Sequence, residues 1–148
     1  MIDIEKSVGF LLAKAYQRGC ALFKEEFDHY DVTPQQFGLL AFLWQEDGLS
    51  QAELSARVQI DRTTMGGIID RLEKEKVVER RHHPADRRAY QVFLTGKGKS
   101  LEQELCTVAG QVINKITAPL SVEEHQTLIS FCPRRAYLKS NNFSSQAF

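Results

Sequence analysis

Apolar residues recur every three to four positions along much of the chain, a spacing that predicts amphipathic helices. Residues 7–29 form the longest such stretch, and its apolar positions are Val8, Leu12, Ala15, Gly19, Leu22, Phe23, Phe27 and Tyr30. Thr33, Pro34 and Gln36 then combine an N-cap residue, a proline at the first helical position and the second member of a capping box. They predict a second helix, which ends near residues 47–48 and whose apolar side carries Phe37, Leu40, Ala41 and Trp44.

Two short helices and a hairpin are predicted next. Ser50 and Glu53 form another capping box and open a third helix that extends to about Val58. Asp61 caps a fourth helix that extends to about Glu75. Its inward-facing residues are Met65, Ile68, Ile69 and Leu72. Residues 77–82 and 89–94 have the pattern of two strands, and residues 83–87 are the turn between them.

The rest of the chain is predicted to be helical up to a polar tail. Thr95 caps a long fifth helix that Pro119 ends, with apolar positions at Leu101, Leu105, Val108, Val112 and Ile116. Ser121 and Glu124 cap a sixth helix, and residues 136–148 have a composition typical of disorder. The fold class is therefore mostly α with a small β-hairpin wing. Two short helices followed by a hairpin is the order of a winged helix-turn-helix.

The fourth helix carries small polar and basic residues on the side opposite its apolar stripe. These outward positions are Arg62, Thr63, Thr64, Gly67, Asp70, Arg71 and Lys74. Arginine can make two hydrogen bonds to guanine, and threonine can offer its hydroxyl or methyl group to a base. Each glycine inside a helix costs about 1 kcal/mol relative to alanine. Gly66 is explained equally well by packing against the third helix or by close approach to DNA, whereas Gly67 favours DNA.

The hairpin is rich in arginine, with Arg80, Arg81, Arg87 and Arg88 beside two histidines. A narrow basic ribbon suits the minor groove of DNA, where the negative potential is concentrated. Asp86 would brace one of the guanidinium groups. The alternative is an ordinary solvated turn. Ser50, Gln51 and Arg57 are expected to contact the DNA backbone, together with Lys74.

Composition sets further bounds on function. The chain has no net charge, but residues 57–99 contain eleven basic and six acidic residues, so this stretch carries +5 and the rest −5. The sequence contains no apolar run long enough for a membrane span and no secretory signal at its N-terminus, so a cytoplasmic protein is expected. It also has no phosphate loop, nucleophile elbow or metal-ligand pair, so we expect neither an enzyme nor a metal or other cofactor. Cys20 and Cys106 are expected to be packed thiols.

Several segments together resemble the MarR (multiple antibiotic resistance regulator) family of bacterial transcription factors. They are residues 49–54, residues 61–64 leading into 70–73, and residues 86–89 followed by Leu94, Thr95, Gly96 and Gly98. The resemblance implies a homodimer joined through its first, fifth and sixth helices. It also implies a recognition helix in the major groove of a palindromic operator and Arg88 in the minor groove, with Asp86 as its brace. Residues 132–135 interrupt the apolar stripe that relatives continue in the last helix.

The resemblance gives each part of the chain an expected role. Residues 1–32 and 96–135 would form the dimerisation region, and residues 33–95 the DNA-binding domain. The protein would be a repressor that a small organic anion, such as an aromatic or phenolic acid, releases from double-stranded DNA. A thiol-based redox sensor and a winged-helix module for protein contacts are the alternatives. At the position where peroxide-sensing relatives carry their cysteine, this chain has Gly9.

A candidate effector site lies on the first two helices. Lys14 and Arg18 are one helical turn apart with Tyr16 between them, and a cation there could bind a carboxylate. Phe37 and Leu40 of the second helix would supply apolar walls. The alternative is that Lys14 and Arg18 only solvate the outer face of their helix.

Overall fold

A computed structural model describes residues 3–136, including the side chains of all of these except 87–88 and 132–136. The described helices are α1 (Val8–Phe27), α2 (Pro34–Gln45), α3 (Gln51–Val58), α4 (Arg62–Lys74), α5 (Gly96–Ser100), α6 (Glu102–Thr117) and α7 (Val122–Ala136). The described strands are β1 (Leu49–Ser50), β2 (Val78–His83) and β3 (Asp86–Leu94), and short 3-10 turns cover Ile4–Lys6 and Asp28–Tyr30. The chain divides into two compact units, Met1–Val112 and Ile113–Phe148.

The predicted helix starts are confirmed by hydrogen bonds at the caps. Thr33 Oγ1 accepts from the backbone N–H of Gln36 at 3.2 Å, and the Gln36 side chain accepts from Thr33 N–H at 2.8 Å. Ser50 and Glu53 form the same reciprocal pair at 3.2 and 2.8 Å. These local bonds satisfy the first N–H groups of each helix, which have no partner within it. That is why the sequence alone placed the starts correctly.

The sheet differs from the prediction in two ways. Its strand order is β1-β3-β2, and the short strand β1, which was not predicted, pairs with β3 through Leu49 opposite Val92. The turn is also tighter than predicted, because β3 begins at Asp86 and its first residue already pairs with His83. A register shift between His82 and His83 accommodates this short connection.

The predicted fifth helix is two helices. It breaks at Leu101, and α5 is anchored by Thr95, whose hydroxyl accepts from Gly98 N–H at 3.1 Å and lies 2.7 Å from the Lys76 carbonyl oxygen. In the second unit, α6 ends at Thr117 and Ser121 caps α7, as predicted. The helix α7 continues through Pro133 to Ala136, so the interruption of the apolar stripe does not end the helix. The predicted disordered tail lies outside the described residues from position 137 onward.

The core of the first unit forms around α2, α4 and the sheet. Its fully buried side chains include Leu39, Leu40, Leu54, Met65, Ile69 and Leu72. The first helix joins this core only through its C-terminal half, where Leu22 and Phe27 are buried. Its N-terminal half leaves apolar side chains in solvent, with Val8 62% and Leu12 58% exposed. The apolar stripe of α1 is therefore only half covered within the described chain.

Two glycines fix the connections at the base of the wing. Gly48 has φ of +82°, a conformation that suits glycine, and its N–H donates to the Val92 carbonyl at 3.1 Å. Beside it, Asp47 Oδ1 accepts from Leu94 N–H at 2.8 Å, which ties the end of α2 to the end of β3. Gly98 packs so tightly that a Cβ atom there would lie 2.2 Å from the Val77 carbonyl oxygen.

Candidate nucleic-acid interface

The turn between α3 and α4 is held by side-chain and backbone contacts. Gln59 ends α3 in the left-handed conformation, and Gln51 donates from its side-chain amide to the Arg62 carbonyl oxygen at 2.8 Å. A Cβ atom at Gly66 would lie 3.1 Å from that same amide nitrogen. The contact with α3 is tight, but the neighbouring atom ends a flexible side chain, so both explanations of Gly66 stay open.

The outer face of α4 is open along its length. All the outward positions predicted from the sequence are exposed, namely Arg62, Thr63, Thr64, Gly67, Asp70, Arg71 and Lys74. The four residues predicted to face inward are buried. A Cβ atom at Gly67 would meet nothing within 4 Å, so no neighbour within the described chain requires glycine there. The face offers three cations and two hydroxyl groups at the surface.

Asp61 orients one of these hydroxyl groups. Its carboxylate accepts from Thr64 N–H at 2.9 Å and from Thr64 Oγ1 at 2.6 Å. These hydrogen bonds lower the pKa of Asp61, because they stabilise its charged form. Since the hydroxyl proton is already donated to Asp61, Thr64 presents a fixed oxygen acceptor and a methyl group rather than a freely rotating donor.

Arg80 of β2 turns back onto α4. Its guanidinium binds Asp70 Oδ1 at 2.6 Å and Glu73 Oε2 at 2.5 Å, while its backbone N–H donates to Glu73 Oε1 at 2.9 Å. Burial opposes the charge of the guanidinium, but the bonds to the two carboxylates outweigh this and raise the pKa of Arg80. The Arg80 guanidinium therefore has partners within the chain, and these contacts offer it a role other than the predicted contact with DNA.

The remaining wing residues differ in how fully they are described. Arg81 donates to Glu79 and lies over the ring of Phe93, with its guanidinium carbon 4.5 Å from the ring centre. Asp86 is exposed at the start of β3. The backbone of residues 87–88 continues this strand, but their side chains are outside the described set. The brace between Asp86 and Arg88 stays a prediction.

The residues expected at the DNA backbone also have partners within the chain. Ser50 caps α3 and donates its hydroxyl to Glu53 at 2.7 Å, a contact that lowers the pKa of Glu53. Arg57 binds Glu46 at 2.5 Å and joins α3 to the end of α2. With the amide of Gln51 on the Arg62 carbonyl, these contacts link α3 to the end of α2 and to the start of α4.

The predicted effector residues differ in burial. Leu40 is completely buried in the core, and its assignment as a pocket wall stays a prediction. Phe37 is partly buried and packs edge-on against Phe27 and Trp44, at 5.4 and 6.0 Å between ring centres. Tyr16 is 71% exposed.

The two cations of that candidate site have polar partners on their own helix. Lys14 Nζ donates to Gln17 at 3.2 Å, and Arg18 lies 3.7 Å from Glu25. Both side chains are on the exposed part of α1. This placement agrees with the alternative interpretation, in which they solvate the helix.

A cavity of about 380 Å³ lies instead where α1 meets the start of α2. Its apolar lining includes Phe23, Phe27, Val32 and Pro34. Its ionisable lining residues are Lys24, Asp28 and Asp31, and Cys20 also lines it. Sequence analysis missed this cavity, since its walls come from a helix end, a turn and a helix start whose proximity no periodicity reports.

The two cysteines with described side chains occupy different environments. Cys20 is half-buried, in agreement with a packed thiol, but Cys106 is exposed, so the same expectation for Cys106 is wrong. Local burial and the nearby Glu102 carboxylate raise the pKa of Cys106, which disfavours the reactive thiolate.

The described residues contain no group of three or more His, Cys, Asp or Glu side chains that could hold a metal ion. None of the described helices combines the length and the hydropathy needed to cross a membrane.

Comparisons with known proteins identify the family. The MarR family model matches residues 32–90. The transcriptional repressor NicR of Pseudomonas putida is 33% identical over 127 residues, which cover 86% of this chain and 80% of that protein. YsmB of Bacillus subtilis, an uncharacterised helix-turn-helix transcriptional regulator, is 32% identical over 82% of this chain and 81% of its own length.

Solved structures agree with this assignment. One is the structure of BpsR from Bordetella bronchiseptica, from a study of how 6-hydroxynicotinic acid regulates its DNA binding. It is similar to this chain with a TM-score of 0.89 and 29% identity, and the match covers 94% of this chain and 99% of that one. The repressor CouR bound to a 23-mer DNA duplex has a TM-score of 0.83 and 27% identity, covering 90% and 95%. The fold, the exposed face of α4 and these relatives lead to one conclusion: the chain belongs to the MarR family of transcriptional regulators.

Proposed function

We propose that this regulator is a repressor that binds a palindromic operator as a homodimer and leaves it when a small aromatic acid binds. The observation that carries the DNA-binding part is the exposed face of α4, where polar and basic side chains stand above a fully buried apolar stripe. Arg62 and Thr64 read bases in the major groove, with Thr63, Gly67 and Arg71 beside them. Lys74 and Arg57 bind phosphates, and Ser50 and Gln51 lie at the backbone of the same half-site.

The wing supplies the second contact with DNA. Arg88 enters the minor groove with Asp86 as its brace, and Arg81 and Arg87 lie nearby on the same hairpin. Such a contact adds affinity and reads groove width rather than base edges. The acid-free protein therefore holds each half-site at two points, one in each groove.

A second copy of the chain would cover the exposed apolar side chains. In the first unit these are Val8, Leu11 and Leu12 on α1. In the second unit they are Ile113, Ile116, Val122, Leu128, Ile129 and Phe131. A monomer rarely exposes so much apolar surface on helices, whereas a two-fold interface buries it in pairs. Residues 1–32 and 96–135 would thus form the dimerisation region and residues 33–95 the DNA-binding domain. A regulator of this kind works in the bacterial cytoplasm.

The cavity beside Lys24 is our candidate for the effector site. Phe23, Phe27, Val32 and Pro34 would pack against an aromatic ring, and the Lys24 ammonium would bind its carboxylate. Asp28 and Asp31 disfavour a second anionic group but can accept hydrogen bonds from a ring hydroxyl or N–H. The site therefore suits a hydroxylated aromatic or heteroaromatic monoacid, a class that includes the 6-hydroxynicotinic acid studied with BpsR.

Release would be a shift between two populations of the dimer. The cavity joins the end of α1 to Thr33 and Pro34 at the start of α2, so an acid bound there can favour one arrangement of these helices. The acid acts only through its preference for a dimer whose two recognition helices no longer match the half-site spacing. Half-sites are expected about one helical turn apart.

The effector proposal is tested by titrating 6-hydroxynicotinate and 4-hydroxybenzoate into the protein–operator complex. We expect Lys24→Ala to need about tenfold more acid for release, which corresponds to ~1.4 kcal/mol of lost binding. Lys14→Ala is the matched control, because it removes another exposed lysine of α1 and should leave release unchanged. Weaker release in Lys14→Ala or Arg18→Ala, with Lys24→Ala unaffected, would place the effector on the first turns of α1 instead.

The DNA part is tested separately, without an effector. Selection from random duplex DNA should return a two-fold symmetric sequence, and sedimentation should give a dimer at micromolar concentration. Leu12→Glu should dissociate this dimer and abolish operator binding. A monomeric wild-type protein that binds its selected site at full affinity would contradict the proposal.

A further inference from the structure

We infer that Arg80 is a positioning residue that ties the wing to the recognition helix and does not bind phosphate. This inference rests on the proposed function, in which α4 and the wing both contact DNA. Arg80 stands on β2, and its three hydrogen bonds to Asp70 and Glu73, at 2.5 to 2.9 Å, all end on α4. They are contacts between the two DNA-binding elements themselves.

The exposure of neighbouring arginines supports this assignment. The Arg80 side chain is 23% exposed, whereas that of Arg81, the next residue on the strand, is 58% exposed. Successive strand residues point to opposite sides, and here one side faces α4. A phosphate contact by Arg80 would require it to leave two carboxylates that already use both ends of its planar fork.

The geometry of the pair explains what it can do. Asp70 and Glu73 are three residues apart, so they lie on one side of α4 and bind different nitrogens of a single guanidinium. Glu73 also holds the backbone of β2 at Arg80, so the strand is fixed together with the side chain. Two hydrogen bonds from one planar guanidinium group restrict the rotation of β2 relative to α4. A single lysine ammonium group would not impose this restriction.

The positive charge of Arg80 also favours DNA binding. Asp70 is exposed on the face of α4 that carries the predicted base contacts, and a carboxylate there repels phosphate. Arg80 neutralises one of the two negative charges and holds both carboxylates toward β2. Removing Arg80 therefore releases the wing and uncovers two anions next to the DNA.

The inference is tested first by coupling between Arg80 and the wing. Operator affinity is measured across a salt series for wild type, Arg80→Met, Arg88→Ala and the double variant, with Arg81→Met as the matched control. We expect Arg80→Met to weaken binding about tenfold and to lower the salt slope no more than Arg88→Ala does. The penalty of Arg88→Ala should fall below about threefold in the Arg80→Met background and keep its full size in the Arg81→Met background.

A phosphate contact would give a different pattern. Arg80→Met would then lower the log–log salt slope by about one unit, as expected for one lost phosphate contact, and the Arg88→Ala penalty would be unchanged. That result would overturn the inference while leaving the proposed function intact. Arg80→Lys should recover only part of the loss, because an ammonium cannot reproduce the two-ended fork.

A second measurement needs no DNA, so it separates this inference from the proposed function. Spin labels at positions 67 and 85 report the distance between α4 and the wing. The native cysteines are replaced, and the labelled protein is diluted with an excess of unlabelled chain. We expect a narrow distance distribution in wild type and Arg81→Met, and a broad one in Arg80→Met that retains its helical circular dichroism. An unchanged distribution in folded Arg80→Met would overturn the positioning role. If the wild-type protein does not bind an operator, that result counts against the proposed function and not against the positioning role of Arg80.

Discussion

Alanine at position 98 would place a Cβ atom 2.2 Å from the carbonyl oxygen of Val77. The obstacle is backbone, so no side-chain rotation can relieve it, and either α5 or the segment after α4 must move. The Val77 carbonyl accepts from Thr95 N–H and lies within hydrogen-bonding distance of the Thr95 hydroxyl, both at 3.1 Å. The Gly98 carbonyl accepts from the Trp44 indole N–H at 3.0 Å.

These contacts set the size of the effect. Forcing an extra methyl group into a packed site costs about 1–3 kcal/mol. Each neighbouring hydrogen bond that is lost costs about 1 kcal/mol more. Alanine recovers about 1 kcal/mol through its better helix propensity. With one or two bonds lost, we expect Gly98→Ala to lower the free energy of unfolding by about 1–4 kcal/mol.

The assay is urea unfolding followed by circular dichroism and by fluorescence of Trp44, the only tryptophan of the chain. Protomer concentration is held constant, because the stability of a dimer depends on it. Gly96→Ala is the control, since it lies in the same helix and its Cβ would meet nothing within 4 Å. It should unfold at the wild-type urea concentration or above. Equal midpoints and slopes for Gly98→Ala and wild type would refute the packing argument.

Three further predictions concern DNA binding and pH. Substituting Arg62 or Thr64 should change which sequences a binding-site selection returns, whereas Lys74→Ala should weaken all sites evenly and lower the salt slope by about one unit; the reverse pattern would overturn these assignments. Arg88→Ala should weaken operator binding by about 1–3 kcal/mol in gel shifts at fixed salt, and unchanged affinity would exclude the minor-groove contact. Because the pKa of Asp61 is lowered in the folded protein, the Asp61 cap stabilises the fold at pH values above the ordinary aspartate pKa. This stabilisation is lost as the pH falls through the pKa of Asp61 in the folded protein. Asp61→Asn should therefore flatten that acid-side loss of stability, and an unchanged pH profile would contradict it.

What the sequence predicted well was local in origin. The starts of α2, α3 and α4 follow from a cap and its partner three residues later, and both members are visible in the sequence. The exposed face of α4 follows from the helical period, because its buried residues recur at that spacing. Local patterns of this kind do not depend on what the rest of the chain does.

What it predicted poorly depends on partners far away in the chain. Strand β1 has only two residues and exists because Leu49 pairs with Val92, a contact that no short window contains. Arg80 and Arg81 look equivalent in the sequence, and only the acids of α4 distinguish them. The sequence did contain a signal for this difference between the two arginines, because Asp70 and Glu73 share one side of the helix that precedes the basic strand.

The half-covered first helix has a consequence for how the regulator responds to its own abundance. Val8, Leu11 and Leu12 are exposed in the single chain, so in the proposed dimer this segment would gain its packing from the second copy. Below the dimer dissociation constant, operator occupancy would then rise with the square of the protomer concentration. A small change in synthesis or dilution at cell division would produce a larger change in promoter activity, so the control of expression would be steeper than that of a one-to-one binder.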